Sequence, residues 1–181
     1  QWDFRALIVG GKLRPRARLP REGVFEHETD FPVPWMSSTG GGWKRKPTEE
    51  ELTTMRYREG DLGEWLETKN AEITVFHRLR FSAPCGHPPG AFGVKKYVVW
   101  NVREGMTEPG QWHLDRAAGK VVYWPLPGED MGKTRTVAPT LQTIIRLAGQ
   151  KDKPVRRVTL RSLRFEATNT PLVAGGFGAG N

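Results

Sequence analysis

Apolar and polar residues alternate with a period of two along much of the first 125 residues, which predicts short β-strands. The clearest unit lies between residues 108 and 130. Two arms rich in aromatic and β-branched residues, 112–114 and 121–124, flank a polar reversal that ends at Gly119, a residue that can adopt positive φ. Prolines at 109, 125 and 127 bound the unit. The pattern predicts a β-hairpin.

Other segments carry the same strand signal between turn residues. Gly10 and Gly11 predict a tight turn between the first two strands. Thr48 is predicted to cap one short helix, because acidic residues follow it. Strands recurring with turns over residues 55–125 indicate a sandwich-like module. The further predicted strands are residues 4–9, 13–19, 56–62, 72–81 and 97–100.

The pattern changes after residue 140. Val158 and Leu160 alternate with polar residues, the phase slips across Arg161 and Ser162, and the alternation resumes at residues 163 and 165. A flat strand would keep its phase, whereas a sharp bend at Arg161–Ser162 keeps all four apolar side chains pointing inward. This is typical of one rung of a parallel β-helix, with residues 141–147 as the preceding rung. Because solenoids need about three stacked units, the glycine-rich end at 174–180 leads either into further rungs or into a disordered end.

The charge balance raises the question of a polyanionic partner. The formal net charge is +8 and the pI is about 9.9, values compatible with nucleic acid or an acidic polysaccharide. The densest basic cluster alternates with apolar residues, which favours the solvated face of a half-buried strand. Contact with a polyanion and a structural ion-pair network are the alternatives. The cluster consists of Lys12, Arg14, Arg16, Arg18 and Arg21.

Several kinds of site have no support in the sequence. The single cysteine, Cys85, excludes an internal disulfide, and together with His77 and His87 it gives too few ligands at unsuitable spacing for a metal. Gly40 to Gly42 lack the context of a nucleotide-binding loop. We therefore expect no metal and no cofactor, and we find no membrane-spanning segment. The chain begins at Gln1 and looks like an excerpt.

Four blocks, in order along the chain, carry a family resemblance. Residues 7–23 resemble "V-N-G-x-x-x-x-R-A-R-x-P-x-x-G", residues 57–65 resemble "G-D-L-x-x-W", and the hairpin resembles "P-G-E-W-Y-L-D-R-x-x-G-x-L-Y-Y-x-P". Residues 155–166 resemble "V-x-x-I-T-F-x-G-L-T-F-E". The chain is thus similar to the N-terminal part of bacterial right-handed parallel β-helix proteins of the glycoside hydrolase type, in the family that contains α-L-fucosidases and xylanases.

The resemblance implies an all-β fold in which a β-sandwich-like module interrupts an early β-helix. We expect early β-helix strands at residues 1–22, the inserted module at 23–138 and the truncated start of the β-helix at 139–181. It also implies a secreted or periplasmic protein, in which this chain contacts the remainder of the β-helix of the same polypeptide.

The sequence departs from the family pattern at four positions: Gly10 replaces asparagine, Gln111 glutamate, His113 tyrosine and Ser162 glycine. Gln111 removes a carboxylate, so we assign no catalysis to this hairpin. Glycoside hydrolysis needs two carboxyl groups, and the resemblance implies that they lie on later rungs. We therefore expect no catalytic residue in this chain.

Residues for contact with a glycan are sought among the aromatic side chains, since an indole offers a flat apolar face with a polar edge. Trp35 and Trp43 flank a glycine-rich loop and are the best candidates, whereas Trp65, Trp100, Trp112 and Trp124 lie in or beside strands and are predicted to be core. Glu166 and Asn169 follow the last apolar rung position, where a β-helix groove could lie.

Three functions follow from these observations. In the first, the chain is a piece of a carbohydrate-active β-helix protein, and the parent protein degrades a plant-type polysaccharide or an oligosaccharide. The second is a non-catalytic carbohydrate-binding module. The third is a basic nucleic-acid-binding β domain using residues 12–21 and 44–46, although we do not expect nucleic acid to be the partner. The sequence does not set which glycan is recognised.

Overall fold

The computed structural model describes residues 3–36, 41–66, 70–75 and 87–169, which consist mainly of short strands and irregular loops. This confirms the all-β class. The strands are β1 (Leu7–Val9), β2 (Lys12–Arg14), β3 (Arg18–Leu19), β4 (Phe25–Glu26), β5 (Glu72–Val75), β6 (Lys96–Trp100), β7 (Trp112–Asp115), β8 (Lys120–Tyr123) and β9 (Thr136–Val137). The helices are α1 (Glu49–Thr53) and two 3-10 turns at Ala91–Gly93 and Arg103–Gly105. None of these is long and apolar enough to cross a membrane.

The first sheet has the order β2-β1-β9, and all of its pairs are antiparallel. Gly10 and Gly11 join β1 to β2 with φ values of 59° and 74°, so the predicted glycine turn is confirmed. Strand β9 returns to the other edge of β1, which places residues 136–137 beside the beginning of the chain.

The second sheet is built around β6, whose residues Tyr97, Val98 and Val99 are fully buried. Strand β5 pairs with β6 along one edge. On the other edge of β6, β3 pairs with the C-terminal end of β6, and β4 pairs with the N-terminal end of β6. The predicted strand at 97–100 is confirmed, as is the first part of the one at 72–81. Residues 76–81 lie outside the described residues, as do Cys85 and His77.

Strands β7 and β8 form the predicted hairpin, with Trp112 opposite Tyr123 and Gly119 at φ 64°. The hairpin pairs with the segment that connects β2 to β3, because Ala17 donates its N–H to the Trp112 carbonyl at 2.7 Å. Trp112 stacks on Phe4 with ring centroids 5.6 Å apart, and the two form a core with Leu7, Val9 and Leu114. A second core surrounds β6 and includes Leu62, Tyr97, Val99 and Val102.

The basic cluster at 12–21 does not form the solvated strand face that the alternation favours. Leu13 is 70% exposed, whereas the Arg14 and Arg16 side chains are only 12% and 10% exposed. Arg14 pairs with Glu129 at 2.6 Å, and Arg16 pairs with Glu72 at 2.6 Å. The prediction was wrong for Arg14 and Arg16, because acidic partners distant in sequence turn these arginines inward, whereas Lys12 and Arg21 are exposed. The structural ion-pair network is the correct alternative for Arg14 and Arg16.

Two further expectations are corrected. Residues 56–62 form no regular strand; Gly60 turns the chain at φ 94°, and Glu59 bridges only to Leu62. Trp112 is core, as predicted, and Trp100 is half-buried. Trp65 and Trp124, however, are 37% and 44% exposed, so they are not core residues.

Residues 139–169 form no regular strand, and their apolar side chains are largely exposed. The bend predicted at Arg161–Ser162 is present, since Ser162 has φ 55°. Arg157 and Ala167, each five residues away, also have positive φ. The β-helix interpretation and the three segment boundaries stay predictions.

Candidate functional site

Two antiparallel segments bring Trp35 and Trp43 into edge-to-face contact. Met36 donates its N–H to the Gly42 carbonyl at 2.7 Å, and Lys44 donates to the Pro34 carbonyl at 3.0 Å. Trp35 lies directly opposite Trp43 in this pairing, so the two indoles project to the same side. Prolines at 32 and 34 favour the extended backbone that leads into it.

A third ring is presented by the 3-10 turn at Ala91–Gly93. The turn begins at Gly90, which has φ 83° and lies so close to Thr29 that an added Cβ would be 2.3 Å from the Thr29 carbonyl oxygen. Only glycine fits there. Phe92 then has φ 58°, a conformation that non-glycine residues adopt at a cost. Strained residues of this kind are concentrated at ligand-binding sites.

These rings form one contiguous cluster, which we call the aromatic surface: Trp35, Trp43, His87 and Phe92. The centroids of Trp35 and Trp43 are 4.9 Å apart, those of Trp43 and Phe92 5.0 Å, and those of Trp35 and Phe92 5.9 Å. His87 meets the other three rings edge-on at 5.2 to 5.4 Å. Such edge-to-face and tilted pairs are the favoured arrangements for aromatic rings.

The aromatic surface is open on one side and supported on the other. Trp35 is 39% exposed and Phe92 is 47% exposed, whereas Phe31, which packs edge-on against Trp43 at 4.9 Å, is buried. The Trp43 indole N–H is buried and has no hydrogen-bond partner among the described residues. Burial lowers the pKa of His87, so its ring is neutral at pH 7. The surface therefore offers apolar faces without a formal charge of its own.

Arg45 anchors this region to the helix α1. Its guanidinium lies 5.6 Å from the centre of the Phe31 ring and donates two hydrogen bonds to Glu51, at 2.7 and 2.6 Å. Glu51 also accepts from the Thr48 N–H while the Thr48 hydroxyl caps the helix, so the predicted N-cap is confirmed. The Arg45 hydrogen bonds, followed by the one from Thr48, lower the pKa of Glu51 to about 2. A shallow groove beside Trp35 is lined by Pro32, Val33, Pro34, Lys44 and Arg45.

The other two candidate residues belong to a different part of the chain. Glu166 is half exposed and pairs with Arg164. Asn169 is buried; its backbone N–H donates to the Leu141 carbonyl at 2.8 Å, and its side-chain amide donates to the Asp3 carbonyl at 2.7 Å. The structure thus brings Trp35 and Trp43 together and places Glu166 and Asn169 in the 139–169 segment.

Sequence reasoning missed Phe92 and His87 as members of the cluster. The only local signal was a phenylalanine between two glycines at 90 and 93, which is an unusual place for a large apolar residue. Gln111, by contrast, has a structural role, because its Oε1 atom accepts the N–H groups of Thr107 at 2.6 Å and Glu108 at 3.1 Å. Over residues 3–36, 41–66, 70–75 and 87–169, no group of three acidic, histidine or cysteine side chains could hold a metal ion.

Comparisons with known proteins give one relationship. A solved structure described as "Glycoside hydrolase" matches 84% of this chain with 21% sequence identity and a TM-score of 0.51. The chain spans 29% of the length of that structure. No family model matches the chain, and no curated protein matches it significantly. The chain therefore shares its fold with a part of a glycoside hydrolase.

Proposed function

We propose that this chain is part of a carbohydrate-active protein and that its aromatic surface binds a glycan. The observation that carries the proposal is the pair of half-exposed rings, Trp35 and Phe92, held at fixed angles by Trp43 and His87. The fold shared with part of a glycoside hydrolase supports the carbohydrate class. Binding surfaces that use rigid aromatic side chains lose little conformational entropy when they engage a ligand.

The aromatic surface suits a sugar ring for physical reasons. The faces of a pyranose carry C–H groups, which pack against the electron-rich face of an aromatic ring, while its hydroxyl groups point outward to polar partners. The described residues of the aromatic surface include no carboxyl group, and we propose that the surface holds a glycan while cleavage takes place elsewhere.

In the parent protein, we propose, cleavage of a plant-type polysaccharide is performed by carboxylates outside this chain, on the rungs of a β-helix that begins at residues 139–181. The exposed apolar side chains of residues 141–165 support this, because further rungs would cover them. A secreted or periplasmic location accords with a polysaccharide substrate. A non-catalytic carbohydrate-binding module is the alternative, and it would use the same aromatic surface.

The nucleic-acid hypothesis has less support. Three of the five cations in the basic cluster, Arg14, Arg16 and Arg21, pair with Glu129, Glu72 and Glu108 within the chain. A nucleic-acid site needs unpaired cations that can replace the counterions of phosphates. The high pI therefore does not define a continuous phosphate-binding surface.

The direct test is retention of the protein on soluble polysaccharides in affinity gel electrophoresis, with xylan and a fucosylated glycan as probes. We expect retention that hardly changes with salt, and loss of retention in Trp35→Ala. Trp124→Ala is the matched control, because Trp124 is equally exposed but lies outside the aromatic surface. Salt-sensitive binding to DNA or RNA, with no retention on any glycan, would contradict the proposal.

A further inference from the structure

A polar pocket of about 190 Å³ lies where β6 ends and β7 passes, away from the residues that form the aromatic surface. Trp65 forms one wall. The pocket is also lined by the polar side chains of Asn70, Arg103, Glu104, His113 and Asp115. The space is large enough for several water molecules.

The floor of this pocket is built from Asn101, which is fully buried and has φ 64°. Its side-chain amide donates to the carbonyls of Asn70 and Leu114, both at 2.8 Å, and its Oδ1 atom accepts the Leu114 N–H at 2.7 Å. These bonds hold a strained residue in place. The surrounding structure thus determines the shape of the pocket in advance of any ligand.

The rim is fixed by the 3-10 turn Arg103–Gly105. Gly105 lies against the backbone of Arg18 so closely that an added Cβ would be 2.6 Å from the Arg18 nitrogen. The turn therefore cannot shift toward β3. It presents the side chains of Arg103 and Glu104 to the pocket, and neither makes a hydrogen bond or ion pair with the part of the chain that the structure describes.

The remaining polar groups complete the lining. Asp115 accepts the Ala118 N–H at 2.9 Å and a long bond from the Asn70 amide at 3.5 Å. The Ala118 hydrogen bond, together with the weaker one from Asn70, lowers the pKa of Asp115, which is therefore ionised at neutral pH. Trp65, 37% exposed, lies over Gly63, where an added Cβ would be 2.5 Å from the indole nitrogen. Carboxylate acceptors, a guanidinium donor and an indole wall therefore meet in one space.

We propose that this pocket binds a single sugar ring, with the indole of Trp65 against one face and Glu104, Arg103 and Asp115 bonded to its hydroxyl groups. Its volume of about 190 Å³ is suited to one monosaccharide unit. The choice of a sugar as ligand rests on the proposed function, whereas the pocket is lined by residues that are not part of the aromatic surface. The protein then holds a chain end or a branch sugar here while the aromatic surface holds a longer glycan.

The test is a titration of the full chain with methyl pyranosides of xylose, fucose, galactose and glucose, followed by ligand-observed NMR and calorimetry. One of them saturates a single site. Glu104→Gln, which keeps the shape of an exposed side chain, weakens binding roughly tenfold because a charged hydrogen bond is lost. Trp65→Ala weakens it by a similar factor. Glu22→Gln, an exposed acid outside the pocket, and Trp124→Ala leave it unchanged.

Retention of the unaltered protein on xylan and the fucosylated glycan, measured in parallel, separates this inference from the proposed function. If polysaccharides are retained while no methyl pyranoside binds, or if Glu104→Gln binds as tightly as the unaltered protein, the pocket inference is overturned and the proposed function stands. If neither polysaccharides nor pyranosides bind, both are overturned. Should Trp65→Ala not fold, Glu104→Gln alone decides the outcome.

Discussion

Two aromatic groups in this chain have similar composition and opposite surroundings. Phe4 and Trp112 stack at 5.6 Å with an interplanar angle of 21° and are essentially inaccessible to solvent. Trp35, Trp43 and Phe92 contact one another at similar distances, yet Trp35 and Phe92 remain half exposed. The difference lies in what covers the rings, because β1, β7 and β8 enclose the first group and nothing in the described residues encloses the second.

The indole nitrogens show the same contrast. The Trp112 N–H donates to the Arg14 carbonyl at 3.1 Å, so burial of this ring leaves no polar atom unsatisfied. The Trp43 N–H is buried, and no described residue accepts a hydrogen bond from it. Most buried polar atoms in folded proteins have a hydrogen-bond partner, so the two indole nitrogens differ in a property that burial normally requires. A tryptophan thus contributes to stability in one place and, we propose, to binding in the other.

The largest effect on stability is expected from the enclosed group. Trp112→Ala removes a fully buried indole, its stacking on Phe4 and its hydrogen bond to Arg14. We expect the free energy of unfolding to fall by about 3–5 kcal/mol, measured by denaturant titration. Trp112→Phe, which keeps the ring but loses the hydrogen bond, should cost less. A loss under about 1 kcal/mol for Trp112→Ala would mean that this group does not support the fold.

The next effect concerns the charged network beside this core. The guanidinium of Arg16 lies 6.0 Å from the centre of the Trp112 ring and pairs with Glu72, which also contacts Arg5 and Arg116. Burial alone raises the pKa of Glu72, but hydrogen bonds and charge from Arg16, Arg116 and Arg5 outweigh it and lower the pKa from 4.5 to about 2. At about 1.4 kcal/mol per pH unit, ionised Glu72 contributes about 3 kcal/mol.

Because the pKa of Glu72 is lowered on folding, this contribution is complete above pH 4.5 and is lost as the pH falls toward 2. Glu72→Gln should therefore be destabilised by about 3 kcal/mol at pH 7, and its difference from the unaltered protein should shrink across that interval. Glu26→Gln, which removes an exposed pair with Arg58, is the control and should cost less than about 1 kcal/mol. Equal losses in both variants would refute the network as a stabilising element.

A substitution in the aromatic surface should weaken binding and leave stability nearly unchanged. Phe92→Gly relieves a strained φ of 58° but loses contacts with Trp35 and Trp43. Relief of left-handed strain is worth roughly 1–2 kcal/mol, which offsets the lost packing of a half-exposed ring. We expect the free energy of unfolding to change by less than about 1 kcal/mol. Retention on the polysaccharide probes should fall at the same time. A stability loss as large as that of Trp112→Ala would mean that the aromatic surface supports the fold as much as the enclosed group does.

Local patterns predicted the local structures. The Gly10–Gly11 turn, the Thr48 cap and the 112–124 hairpin each depend on a few neighbouring residues, so the sequence sufficed for them. The inward turn of Arg14 and Arg16 could not be predicted, because their partners Glu129 and Glu72 lie 115 and 56 residues away. Alternation shows which residues share a face of a strand, but it does not show which face packs against residues distant in sequence.

The same limit applies to the candidate site. Trp35 and Trp43 were identifiable because each flanks a glycine-rich loop. Phe92 reaches them through the close approach of Gly90 to Thr29, a contact 61 residues apart in the chain that no local pattern reveals. Trp65 and Trp124 were assigned to the core by their position near strands, yet single strands do not disclose which side is covered.

We propose that the aromatic surface binds a glycan, whereas the enclosed aromatic group only stabilises the fold. The most direct measurement is the affinity of Trp35→Ala for xylan and the fucosylated glycan, determined by calorimetry beside the unaltered protein and Trp124→Ala. We expect affinity to fall roughly tenfold or more in Trp35→Ala alone, with the melting curve nearly unchanged. Equal affinities in Trp35→Ala and Trp124→Ala would contradict the claim.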